Sequence, residues 1–140
     1  MIYALDTNII SYILNGNGAL DYKLNEIVPI NEVIIPLFVY YEVRRGLIAK
    51  QAERKLRAFE RLCLQLDIVN LTVHDMNTAS KIYAERKAAG TVIDDGDLLI
   101  AAQCVTNGYV LVTNNIKHFR DINNFRYENW LNAEEQDNDF

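Results

Sequence analysis

The sequence predicts an α/β fold: a three-layer α/β/α sandwich around a central parallel sheet of four to five strands. Three observations carry this reading. Short, mostly apolar runs recur at residues 2–5, 33–35, 68–71 and 109–112. Longer stretches with apolar residues every three or four positions lie between them. The runs show little alternation, which is how strands covered on both faces read, and strands alternating with helices build a parallel sheet.

Each element has a local reason. Residues 2–5 form a strand that Asp6, Thr7 and Asn8 end, and all three are helix N-cap formers. Ile9, Ile10, Ile13 and Leu14 then give one helical face, which Gly16, Asn17 and Gly18 break. A short helix is expected over 20–28. Val33, Ile34 and Ile35 make the second strand, and Pro36 suits a first helical turn. Val39, Val43 and Leu47 follow at a spacing of four, and Leu56, Phe59, Cys63 and Leu66 extend the pattern through a helix over 50–66. A third strand is expected at 68–71. Thr72 and Asp75 form a capping box with Asp in place of Glu, and Ala79, Ile82 and Tyr83 continue that helix to Gly90. Residues 98–102 are a buried helical stretch stopped by Asn107 and Gly108. The fourth strand, 109–112, ends in Thr113, Asn114 and Asn115, and residues 126–128 are a possible fifth.

The chain has 140 residues, enough for one domain with a sizeable core. We expect residues 1–132 to be that domain and 133–140, with Glu134, Glu135, Asp137 and Asp139, to be an acidic flexible tail. The N-terminus has no basic lead or cleavable apolar stretch, and no run is long enough to span a bilayer, so no membrane association and a cytoplasmic location are expected. Cys63 and Cys104 have neither disulfide-framework nor metal spacing and read as small core residues.

The chemistry lies in the acids. In open α/β sheets ligands bind beyond the carboxyl ends of the strands. Asp6 follows the first strand, Asn115 follows the fourth, and Glu42 lies in the helix after the second. Asp94, Asp95 and Asp97 open the helix before the fourth. Taken singly, these residues have plain readings as helix caps, acidic first turns or partners of Arg44 and Arg45. Gathered at one sheet edge they would repel one another unless a cation joined them. Hard oxygen ligands suit Mg²⁺ or Mn²⁺, which lower the pKa of bound water and stabilise charge on a displaced phosphodiester oxygen.

Four segments appear in a telling order: Leu5-Asp6-Thr7-Asn8; Tyr41-Glu42-Val43 through Gly46; Gly90 to Ile93 with Asp97 through Ala102; and Leu111 to Asn115 through His118-Phe119. Together they resemble the PIN-domain family, and within it the VapC-type ribonuclease toxins of type II toxin–antitoxin systems. The resemblance runs over almost the whole chain, to Tyr127-Glu128-Asn129-Trp130. It implies a Mg²⁺- or Mn²⁺-dependent endoribonuclease with an RNA substrate, a cognate antitoxin protein and a homodimeric state. The family's three acids fall on Asp6, Glu42 and Asp97 as catalytic residues, with Asp6, Asp97 and Asp95 around the metal. Asn8 and Thr113 would support the site. Asn115 stands where many PIN domains carry Asp, which weakens the case for a tightly bound second metal. The expected reaction is in-line attack of a cation-activated water on an RNA phosphodiester, leaving a 5′-phosphate and a 3′-hydroxyl.

The net charge of −5 does not exclude such a substrate, because acids of the tail and of the site outweigh an otherwise basic chain. Arg44, Arg45, Lys50, Arg54, Lys55, Arg57 and Arg61 crowd residues 44–61 against only Glu53 and Glu60. They read either as a solvated face or as a phosphate-tracking rim, with Arg44 and Arg45 the best candidates for RNA contact. His118 reads as a surface or packing residue, and Phe38, Tyr40, Tyr41, Phe59 and Tyr12 as core or interface. Two rival readings are an inactive PIN-like metal- or RNA-binding module and a phosphatase with Asp6 as nucleophile. The second lacks the acid such enzymes need two residues later, where Asn8 stands.

Overall fold

The computed structural model describes residues 1–131, so the tail expected at 133–140 lies outside the described residues. Its five strands are β1 (Ile2–Leu5), β2 (Glu32–Pro36), β3 (Asp67–Val69), β4 (Val110–Val112) and β5 (Arg126–Glu128). They form one parallel sheet in the order β3-β2-β1-β4-β5. Six α-helices connect them: α1 (Thr7–Leu14), α2 (Gly18–Ile27), α3 (Leu37–Ala49), α4 (Glu53–Gln65), α5 (Val73–Ala88) and α6 (Asp95–Asn107).

The strand order explains the layers. The chain steps outward from β1 to β2 to β3, then crosses back over the sheet to β4 on the other side of β1. Right-handed crossovers put α1 to α4 on one face and α5 and α6 on the other. The packing agrees. Ile9, Ile10, Val39 and Phe59 from the first layer belong to one buried core with Leu5, Ile35, Leu111 and Val112 of the sheet. Helix α6 covers the opposite face with Ile100, Ala101 and Cys104, while its Leu98 and Ala102 meet Ala79 and Ile82 of α5. The large side chain of Phe59 is completely buried, so truncating it to Ala would cost about 3–5 kcal/mol.

The local signals act as their chemistry requires. Thr72 and Asp75 form the reciprocal capping box of α5, and Gly108 ends α6 at φ +71°. Pro36 remains the last residue of β2, and α3 starts one position later. The helix expected over 50–66 begins only at Glu53, because Gln51 adopts a left-handed φ of 55° and turns the chain between α3 and α4. Inside the apolar stretch of α6, the buried Gln103 donates from Nε2 to the carbonyls of Val69 and Asn70, tying that helix to the end of β3. A short 3₁₀ turn over Ile116–Phe119 follows β4 and was not expected from the sequence. Among the described residues no helix is long and apolar enough to cross a membrane.

Candidate active site

Between β1 and β4 the strand order changes direction, and this is where an open α/β sheet leaves a crevice at its carboxyl edge. Asp6 and Thr113 stand there, each one residue past its strand. Asp6 is 3% exposed. It caps α1 by accepting from the Thr7 backbone N–H at 2.8 Å through Oδ1. Its Oδ2 accepts from the Thr113 hydroxyl at 2.7 Å and from Nδ2 of Asn8 at 3.2 Å. The Asn115 backbone N–H donates to Thr113 Oγ1 at 2.9 Å. That bond leaves the hydroxyl proton free for Asp6. Asn8 completes the lattice by accepting from the Asn114 backbone N–H at 3.0 Å.

Two further carboxylates approach from opposite layers. Glu42, on α3, accepts from the Thr7 hydroxyl at 2.8 Å through Oε1, and its Oε2 lies 3.8 Å from Arg45. Asp97, on α6, has Oδ2 3.0 Å from Nδ1 of His118. Asp6, Thr7, Asn8, Glu42, Asp94, Asp97, Asn115 and His118 line one open depression of about 380 Å³. Its floor is electrostatically costly. Burial pushes the Asp6 pKa up to about 6; the Thr113 and Thr7 hydrogen bonds oppose this, and the charges of Asp97 and Glu42 add to it. Asp97 is also raised, first by burial and then by Asp94, with His118 pulling the other way.

A divalent cation fits this donor set. The hydrogen bonds to Asp6 all come from neutral donors, so they orient the carboxylate without neutralising it. Among the described residues no three His, Cys, Asp or Glu side chains already stand at the spacing of a closed metal cage. One or two carboxylates completed by water is the arrangement Mg²⁺ accepts.

The architecture agrees with the comparisons. Residues 3–124 match the PIN domain model. The chain belongs to the PIN-domain family. This PIN domain is 33% identical over 132 residues to ribonuclease VapC2 of Rickettsia felis, a match covering 93% of this chain and 98% of that one. In the crystal structure of R. felis VapBC2 bound to a promoter DNA fragment, the matching chain superposes with a TM-score of 0.88 at 30% identity, covering 94% of this chain and 100% of that one. A chain of the DNA-bound VapBC from Salmonella typhimurium gives 0.85 at 27% identity, covering 94% and 99%.

Of the residues expected at the site, this PIN domain brings Asp6, Asn8, Glu42, Asp97, Thr113 and Asn115 together. Asp95 is exposed and lines none of the pocket, whereas Asp94 does. As the N-cap of α6, Asp94 stands three residues before Asp97 on the same helical face, and that spacing is the signal that separates the two acids. Arg44 turns to α4 and lies 3.7 Å from Glu60, and Arg45 sits over the Tyr41 ring beside Glu42; neither lines the pocket. His118, set aside from sequence as a surface or packing residue, is carried to Asp97 by the 3₁₀ turn. Gly96 packs under Phe38: a Cβ there would stand 2.6 Å from Phe38 Cε1. That close approach lets the first turn of α6 face the first turns of α3.

Proposed function

We propose that this chain is a metal-dependent endoribonuclease acting as the toxin of a toxin–antitoxin pair. The observation that carries this reading is a buried, neutrally hydrogen-bonded carboxylate at the switch point of the sheet, with one further carboxylate reaching it from each helical layer. Support also comes from relatives named ribonuclease VapC and from similar chains solved within VapBC complexes. The phosphatase reading loses ground because Asn8, standing where such enzymes need a second acid, donates its amide to Asp6 Oδ2 instead.

Asp6 and Asp97 would hold Mg²⁺ or Mn²⁺, with Asp94 nearer to that position than Asp95. When bound, the cation would offset the crowded negative charge and polarise the scissile phosphate. Thr113 and Asn8 fix the direction of the Asp6 lone pairs. Glu42, held at Oε1 by Thr7 and with Arg45 3.8 Å from Oε2, would accept the proton of an attacking water. Asn115 offers a neutral amide where a further acid would add repulsion. The products would carry a 5′-phosphate and a 3′-hydroxyl. The cognate antitoxin would cover this site, and the working form would be a homodimer.

The deciding experiment is induced expression of the wild type and Asp6→Ala, followed by mapping of RNA ends. Growth arrest with new 5′-phosphate ends is expected for the wild type alone. Ends carrying a 2′,3′-cyclic phosphate would exclude this chemistry.

A further inference from the structure

The acid pocket continues past Asp97 and His118. A second depression shares Asp94, Asp97 and His118 with it and is walled further out by Arg86 and Lys117. A third shares Arg86 and Val92 with the second and adds Tyr83 and Lys87. The three form one groove from the acids, over the loop between α5 and α6, to the last turns of α5. Its charge changes along its length, from carboxylates at one end to Arg86, Lys117 and Lys87 beyond them.

We propose that this groove is the path of the RNA strand leaving the cleavage point. The idea rests on the ribonuclease reading and adds to it the surface that holds the substrate. An RNA strand offers phosphates at regular intervals and bases between them, and single-strand grooves answer with cations and aromatic faces. The far end of this groove has that composition. Tyr83 is 49% exposed, and Lys87 places its ammonium 5.9 Å from the ring centroid, so ring and cation are presented together. Val92, 94% exposed, adds apolar surface beside them. Arg86 is anchored at the wall by a hydrogen bond from Nη1 to the Arg120 carbonyl.

The alternative path, over residues 44–61, is less suited. Arg44, Arg45 and Arg57 each lie within ion-pair distance of a glutamate, Glu60, Glu42 and Glu53 respectively. The depressions on that segment share no lining residue with the acid pocket. A strand held there would reach Asp6 only past the Arg45–Glu42 pair.

The test uses full-length protein in an Asp97→Asn background with Mg²⁺ and a fluorescent single-stranded RNA of about twelve nucleotides. Lys87→Glu and Tyr83→Ala are each expected to weaken binding about tenfold. Lys87→Glu should also lower the slope of log affinity against log salt by about 0.7, the loss of one phosphate contact. Lys81→Glu, the same charge reversal on α5 outside the groove, should bind as its parent does. Melting temperatures within a degree or so of the parent would show that the surface changes leave the fold intact. The proposal is overturned if Lys87→Glu and Tyr83→Ala bind RNA like the parent, or if Lys81→Glu loses as much. It is also overturned if the groove variants keep RNA but lose the antitoxin in co-purification, which would make this a protein-binding face. Wild-type cleavage is assayed in parallel. No cleavage at all would fail the ribonuclease reading and this proposal together; cleavage with unaltered binding in the groove variants would fail the groove alone.

Discussion

The hydroxyl of Thr113 donates to Oδ2 of Asp6 at 2.7 Å, joining the ends of β4 and β1. Thr113 Oγ1 in turn accepts the Asn115 backbone N–H, so the hydroxyl proton has one direction to point. Thr113→Val keeps the shape and removes both partners. Leaving a backbone N–H unmatched and the buried Oδ2 with only its Asn8 bond should cost about 1–3 kcal/mol in denaturant unfolding. Because that hydrogen bond lowers the Asp6 pKa, its loss should move the acid limb of the pH–activity profile upward. Thr113→Ser should restore both properties.

Stability should depend on pH through Asp6. Its carboxyl titrates near 3.8 in the unfolded chain and at about 6 in the folded one. Across that window the folded state binds more protons than the unfolded state, so stability falls as pH rises from the first value through the second. The shift corresponds to roughly 3 kcal/mol. In Asp6→Asn this part of the pH dependence should vanish. Millimolar Mg²⁺ at about neutral pH should raise the melting temperature of the wild type and leave Asp6→Asn where it was, since only a ligand of the folded state shifts the midpoint.

His118 should matter more at low pH than at high. It lowers the pKa of Asp97 against the effect of burial. His118→Ala should therefore leave Asp97 protonated to a higher pH and shift the acid limb upward, with activity recovering toward the wild-type level above it. A uniform loss at all pH values would mean that His118 contacts the substrate instead.

Gly96 should tolerate no side chain while Phe38 stays in place. Gly96→Ala would force the Phe38 ring aside, at a cost of about 1–3 kcal/mol. The displaced helix start would carry Asp94 and Asp97 away from Glu42, so kcat should drop more than the melting temperature suggests. Adding Phe38→Leu should recover much of the loss, a coupling that a double-mutant cycle measures.

What could be read from the sequence was whatever a few neighbouring residues decide. The capping box at Thr72, the left-handed stop at Gly108 and the strand ending in Asp6 depend on local chemistry, and they stand where the pattern puts them. The order of the acids along the chain identified which strand ends and helix starts to watch. Directions of long side chains were not legible. Arg44 faces Glu60 because α4 packs beside α3, and nothing within a helical turn of Arg44 signals that. The same holds for His118, whose position depends on a 3₁₀ turn with no strong pattern, and for Gln103, whose partners lie 33 and 34 residues away. Asp94 is different: its spacing from Asp97 was in plain view and outweighs the nearness of Asp95.

The hydrogen bond between Asp6 and Thr113 spans 107 positions of the chain. Asp6 comes early in the order of elements, and its partner follows only after β4. Until then β1 has no neighbour on that side and no hydroxyl fixes Oδ2 of Asp6. The site is therefore a property of the finished sheet: a chain stopped before β4 carries the acids without the edge that orients Asp6.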